Sequence, residues 1–265
     1  MSAVPARRPA SVGLRIEGPL AFVTLQNPDR LNAMTRGMWL ELRATFERLA
    51  REPALRCVVV DGEGAAFCAG GDISEYPSFR FEVERLRAFH EDEVWAALAA
   101  MLACPLPLVA RIEGACMGAG LEIASCCDVR LAAASAKFGA PIAKLGFPMA
   151  PREAALVQSA IGDVLARDML LAAGVHGAQR LYDAGFLLRV LPDADLDAEA
   201  LAHAARIATL APEAARLNKA TFGAMRQAAM QIAVAPLIAS AYDYADSAEH
   251  REGVAAFLAK RPPVF

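Results

Sequence analysis

Short apolar runs alternate with amphipathic segments through the first two thirds of the chain, and this pattern predicts strands and helices in turn. Residues 12–16 and 20–25 are apolar and flank Glu17-Gly18-Pro19, as in a hairpin. Asn27-Pro28-Asp29 predicts a turn. Thr35 is placed to cap a helix running to about residue 50, because Trp39, Leu42, Phe46 and Leu49 recur on one face. Residues 55–60 and 106–112 read as buried strands, stopped by Asp61-Gly62-Glu63-Gly64 and by Gly114. A short apolar piece, 66–68, leads into the loop Ala69-Gly70-Gly71-Asp72. Residues 79–103 predict a long helix, 119–126 a shorter one, and 129–132 a strand. Helices follow at 152–160 and 163–172, where Asp163 is placed to cap. Beyond residue 195 the pattern is only helical, over 196–210, 213–229, 236–248 and 249–259. The chain therefore predicts an α/β core over 11–195, a helical region over 196–265, and a polar, Pro-rich tail over 1–10.

Composition narrows the classes of function. With 56% hydrophobic and 22% charged residues in 265, the chain can fill one sizeable core and lacks the signature of disorder. Lys plus Arg number 27 against 30 Asp plus Glu, and no basic stripe stands out, which argues against nucleic acid as a partner. No stretch reaches 18 uncharged apolar residues, so no membrane span is expected, and the first ten residues have no apolar signal segment. The cysteines at 57, 68, 104, 116, 126 and 127 lie mostly in apolar segments, with neither a disulfide framework nor zinc spacing. They read as buried thiols of a reducing cytoplasm, and no metal ligand set is predicted.

Two glycine-rich turns carry the candidate chemistry. Gly70-Gly71 and Gly114, Gly118, Gly120 each follow a buried strand, and neither matches a dinucleotide or phosphate-loop pattern. Small residues there let backbone N–H groups point at a ligand, and two such donors from separate loops would make an oxyanion hole for an enolate or tetrahedral intermediate. Close packing of tight turns explains the glycines equally well. Glu122, four residues past Gly118 in an otherwise apolar helix start, favours the chemical reading. Burial would raise its pKa and make it a general acid or base near neutrality, while the helix dipole favours an acid in the first turn in any case.

Four blocks in order resemble the enoyl-CoA hydratase/isomerase family, the crotonase superfamily. They are Asn27-Pro-Asp-Arg-Leu-Asn-Ala-Met-Thr35, Ala66-Phe-Cys-Ala-Gly-Gly-Asp-Ile73, Ile112-Glu-Gly-Ala-Cys-Met-Gly-Ala-Gly-Leu-Glu122 with Cys127-Asp128, and Glu252-Gly-Val-Ala-Ala-Phe-Leu-Ala-Lys-Arg-Pro262. The likeness covers about residues 12–265. It implies a spiral of ββα repeats, a C-terminal helical trimerisation region, and a homotrimer or dimer of trimers. It implies an acyl-CoA substrate of lipid metabolism, with coenzyme A carried as part of the thioester and no separate cofactor or metal. By the same resemblance the Gly71 and Ala119 N–H groups form the oxyanion hole and Glu122 moves the proton. Arg30, Ala33, Ala69, Asp72 and Ile73 would lie along the CoA, with Phe257 and Lys260 closing over it.

One departure bears on the reaction. Hydratases of this family use two glutamates, and the second would fall at Ile142 in Phe138-Gly-Ala-Pro-Ile142. The sequence around Pro148-Met-Ala-Pro-Arg152 also lacks the usual glycines. Hydration or dehydration remains the leading expectation. A 3-enoyl-CoA isomerase using Glu122 alone, a decarboxylase, hydrolase or C–C lyase, and a non-catalytic CoA-binding protein remain as alternatives. A replacement acid is expected, if anywhere, within residues 75–90, a pocket wall by resemblance. His90, His176, His203 and His250 read as structural or surface residues, Asp72 as a loop organiser, and Tyr242-Asp243-Tyr244 as a candidate subunit contact.

Overall fold

Alternation at period two decides the layers. A computed structural model of the chain describes residues 9–265. The hairpin forms from β1 (Ser11–Glu17) and β2 (Leu20–Gln26). Then come α1 (Arg36–Leu49), β3 (Cys57–Gly62), α2 (Val83–Ala88), α3 (Trp95–Ala103), β4 (Leu108–Ile112), β5 (Ala115–Met117), α4 (Ala119–Cys126), β6 (Val129–Ala133) and β7 (Lys137–Gly139). The remainder is α5 (Pro151–Ile161), α6 (Asp163–Leu171), β8 (Val175–Gly177), α7 (Ala178–Asp183), β9 (Arg189–Leu191), α8 (Leu196–Ala208), α9 (Pro212–Ile238) and α10 (Ala248–Leu258). Six strands make the main sheet in the order β1-β2-β3-β4-β6-β9, parallel except for the hairpin, and β5-β7-β8 make a small second sheet.

Alternate residues of the main sheet go to opposite cores. Ala21, Val23, Leu25, Val58 and Val60 face the large cluster built with Trp39, Leu42 and Phe46 of α1 and Leu98 and Met101 of α3. Their neighbours Leu20, Phe22, Cys57 and Val59 face a second cluster closed by Leu196, Ala200 and Ala204 of α8. Both faces are covered, which is why β3 reads as a continuous apolar run. The C-terminal helices do different work: α8 seals the sheet, α9 packs on α5, and α10 packs on the 142–145 segment. The Thr35 side chain accepts from the Met38 N–H, so α1 starts where the capping pattern places it.

Several expectations need correction. The helix expected over 79–103 begins only at Val83, and its middle, Phe89–Val94, is a π-helix between α2 and α3. Phe79 and Arg80 are buried in the turn before it, so their apolar surroundings mimic a helical face in the sequence. The helix expected over 236–248 does not form: α9 runs through Pro236 to Ile238, and turns fill 239–246. A proline is favoured at a helix start and costs a hydrogen bond further in, which is why Pro236 reads as a start; here it is carried in the last turn of α9 instead. Asp163 is not the cap of α6; that position is Gly162, and the Asp163 carboxylate takes Gln158 and Arg167. Tyr242 is buried within its own chain, beside Leu86, Ala150 and Ala245, and donates to Glu91 at 2.6 Å. The three-residue strands β5, β7, β8 and β9 and the short α7 are too brief to show a period. Of the tail expected at 1–10, residues 1–8 lie outside the described residues.

Candidate active site

The two glycine turns meet. Gly118 has φ +46° at the cap of α4, and a Cβ built there would lie 3.8 Å from the Gly70 Cα. Ala119 opens α4, so its N–H is among the first-turn donors that have no acceptor within the helix. On the other turn, Met34 donates to the Gly70 carbonyl and accepts from the Asp72 N–H, both at 2.8 Å. This bridge passes on either side of Gly71 and leaves the Gly71 N–H outside the ladder. A Cβ on Gly71 would collide with the Tyr76 hydroxyl, so the position accepts only glycine without movement of that ring. Two free backbone donors thus stand at adjacent turns.

Both turns open on a cavity of about 380 Å³. Glu122 lines it from the first turn of α4, 9% exposed. The ion pairs around the cavity pass it by: Arg30 goes to Asp72, Arg36 to Glu93, and Arg152 to Glu91. Burial pushes the Glu122 carboxyl up to about 8, with the negative charge of Glu153 adding to the shift and Arg80 opposing it. A carboxyl that keeps its proton at neutral pH can donate it and, once ionised, take one back. Arg80 is fully buried, held over the rings of Phe147 at 4.1 Å and Tyr76 at 4.4 Å, and its Nη2 donates to the Tyr244 hydroxyl at 3.1 Å.

The near wall comes from the loop after β2. Asn32, in the left-handed region at φ +58°, donates to the Glu63 and Ala66 carbonyls at 2.9 and 2.7 Å. That clamp sets Arg30 and Ala33 beside Ala69, Asp72 and Ile73, all five on the cavity. Arg30 Nη1 donates to Asp72 Oδ1 at 2.7 Å, and Asp72 also caps the short 3-10 helix Ile73–Ser78 by accepting from the Ser74 N–H at 3.1 Å. The Asp72 carboxylate is therefore occupied in organising the loop. Phe257 of α10 closes the far side, whereas Lys260 stands outside the lining. Ile142 lines the cavity at the start of a 3-10 segment after β7, apolar at the place where the resemblance sets a second carboxylate.

Sequence reasoning missed three charged or titratable members of this wall and its backing: Arg80, His90 and Glu153. Arg80 gave no signal apart from its aromatic neighbours. His90, read as structural or surface, lines the cavity 9% exposed, and its Nδ1 lies 3.2 Å from Oε1 of the buried Glu153. Their separation of 63 positions hides that pair from any spacing argument. A second hollow, about 670 Å³ between α3 and α9, carries no Asp, Glu or His among its described lining residues, so the chemistry belongs to the first.

Comparison with known proteins gives matches over nearly the whole chain. The profile of the enoyl-CoA hydratase/isomerase family matches residues 15–265. A probable enoyl-CoA hydratase from Mycobacterium tuberculosis is 32% identical over 251 residues, 93% of this chain and 94% of the relative. One from Rhodobacter capsulatus is 32% identical, over 96% and 97% of the two chains. The crystal structure of an enoyl-CoA hydratase/carnithine racemase from Magnetospirillum magneticum superposes with a TM-score of 0.79 at 39% identity, covering 96% of this chain and 94% of the other.

Proposed function

The chain belongs to the enoyl-CoA hydratase/isomerase family, and from that premise we propose that it adds water to, or removes it from, an acyl-CoA thioester through an enolate. The observation that carries this reading is the meeting of two free backbone N–H groups, Gly71 and Ala119, with the buried carboxyl of Glu122 in one cavity. The donors hold the thioester oxygen as it gains charge, and each such donor is worth about 3 kcal/mol in the transition state. Glu122 exchanges the proton at C2. Coenzyme A enters as part of the substrate, along Arg30, Ala33, Ala69, Asp72 and Ile73 and under Phe257, and the reaction as drawn uses no separate cofactor.

We further assign the chain to a homotrimer or a dimer of trimers. Leu217, Phe222, Met225 and Leu237 are exposed on α9, apolar surface suited to a second copy. In such an assembly Lys260 is available to CoA held by a neighbouring subunit. The cysteines are free and buried, which suits a reducing cytoplasm, and no helix among the described residues is long and apolar enough to cross a membrane.

The test is deuterium exchange at C2 of saturated and unsaturated acyl-CoAs in heavy water, beside Glu122→Gln. Label uptake that depends on Glu122 supports the enolate, and a gain of water mass marks hydration. Ile142 favours a second reading, isomerisation of a 3-enoyl-CoA by Glu122 alone, and a labelled product without added water would support it. Tight binding without uptake would leave a CoA-binding protein instead.

A further inference from the structure

Hydration requires two proton movements, and with Ile142 apolar the cavity needs a second group for one of them. Among the described residues three buried side-chain polar atoms have no hydrogen-bond partner: Trp39 Nε1, Asp61 Oδ1 and His90 Nε2. Trp39 and His90 both line the cavity that holds Glu122. An unpartnered buried polar atom is costly, and where it recurs at a cavity it points to a polar group that the cavity receives. The two are complementary in sense. The indole N–H only donates; Glu153 Oε1 lies 3.2 Å from His90 Nδ1 and can accept from it, and in the tautomer with the proton on Nδ1, Nε2 only accepts. A water molecule satisfies both kinds of partner.

The surroundings fix the ring. Glu153 is 2% exposed on α5, and Tyr242 stacks on the imidazole at 5.6 Å with 19° between the planes. His90 itself sits in the π-helical segment Phe89–Val94, a rare departure from the α-helix that recurs at functional sites. We propose that His90, oriented by Glu153, is the second proton carrier of the site: its Nε2 takes a proton from the water that adds to C3, while Glu122 gives one to C2. The assignment rests on the hydratase reading above. In that step a water O–H bond breaks, C3–O and C2–H bonds form, and the π electrons of the double bond pass through the enolate to C2. The imidazole is left protonated and Glu122 ionised, and return of one proton from His90 to Glu122 restores the pair. Dehydration is the reverse.

The protonation states agree with these roles. Burial pushes the His90 imidazole down, against the opposing pull of Glu153, so it is a neutral base at pH 7, while Glu122 is a neutral acid. The other charged or titratable groups bearing on His90 are Arg80 from the turn before α2, Glu91 on its own segment, Tyr242 from the 239–246 turns and His250 of α10.

The experiment compares wild type, His90→Gln and Glu153→Gln with a short 2-enoyl-CoA for water addition and a saturated acyl-CoA for C2 exchange. In His90→Gln, hydration kcat is expected to fall by about 10²–10⁴ with KM within about threefold. Glu122-dependent exchange, which needs no second carrier, falls by less than about tenfold. In Glu153→Gln the acidic limb of the wild-type kcat/KM profile moves to lower pH by about 1, because imidazolium loses its carboxylate partner. This second variant decides the matter if His90→Gln does not fold. Hydration in His90→Gln within about fivefold of wild type, hydration and exchange falling together, or an unmoved acidic limb in Glu153→Gln would each overturn the assignment. A wild type that exchanges but never hydrates overturns the hydratase reading and the base with it. One that does neither overturns the enolate reading as a whole.

Discussion

At the scale of single residues, Glu122 couples chemistry to stability. Its proton is held to about 8 in the fold, whereas an unfolded glutamate releases it at ~4.3. The folded state therefore binds the extra proton across that window, and stability falls as pH rises through it. Glu122→Gln removes this penalty. The variant is expected to melt about 5 °C above wild type at pH 9, with the gap closing toward pH 4, as measured by thermal unfolding across pH. It is also expected to lose about 10²–10⁴ in turnover, since the amide transfers no proton. The reciprocal case is His250, which burial and Arg80 push down to about 4, so its contribution is lost as pH falls below ~6.5. Comparing variant and wild type at each pH separates the two effects.

At the scale of elements, the start of α4 and the loop after β3 are the parts that make the oxyanion site. Proline is tolerated at the first position of a helix, where its missing N–H has no intrahelical partner. Ala119→Pro therefore deletes one oxyanion donor while α4 keeps its register. Turnover is expected to drop about 10²–10³-fold with a melting temperature within about 3 °C of wild type, read by paired kinetics and calorimetry. Loss of melting temperature in proportion to activity would mean that the variant disturbs the helix instead. Asp72→Ala removes both the cap of the 3-10 helix and the partner of Arg30. It is expected to cost about 1 kcal/mol of stability. Kinetically it should raise KM for acyl-CoA more than it lowers kcat, because the loop it organises lies on the CoA side.

At the scale of the whole molecule, light scattering during size-exclusion chromatography is expected to give three or six times the 28.1 kDa chain. Charge replacement at Phe222 and Met225, both exposed on α9, is expected to shift that mass toward the monomer. A monomer mass in the wild type would contradict the assembly. Much of the architecture is legible in the sequence. The short apolar runs of β1 to β4, the Thr35 cap and the helix-only pattern after residue 195 are local signals, each set by side chains within a few positions. The two glycine turns and Glu122, an acid in an apolar helix start, are likewise visible in short windows, whereas Gly71 and Ala119 are singled out as donors by the family resemblance. What sequence alone leaves open is which turns touch. Gly70 meets Gly118 across 48 positions, Glu153 meets His90 across 63, and Arg80 meets Tyr244 across 164. Three-residue strands such as β5 and β7 exist only because a neighbour offers them hydrogen bonds. Local pattern determines the elements, since propensity and amphipathicity act over one or two turns. Only the packed fold decides proton affinity and partnership, because burial and charge proximity depend on groups that the chain brings together from a distance.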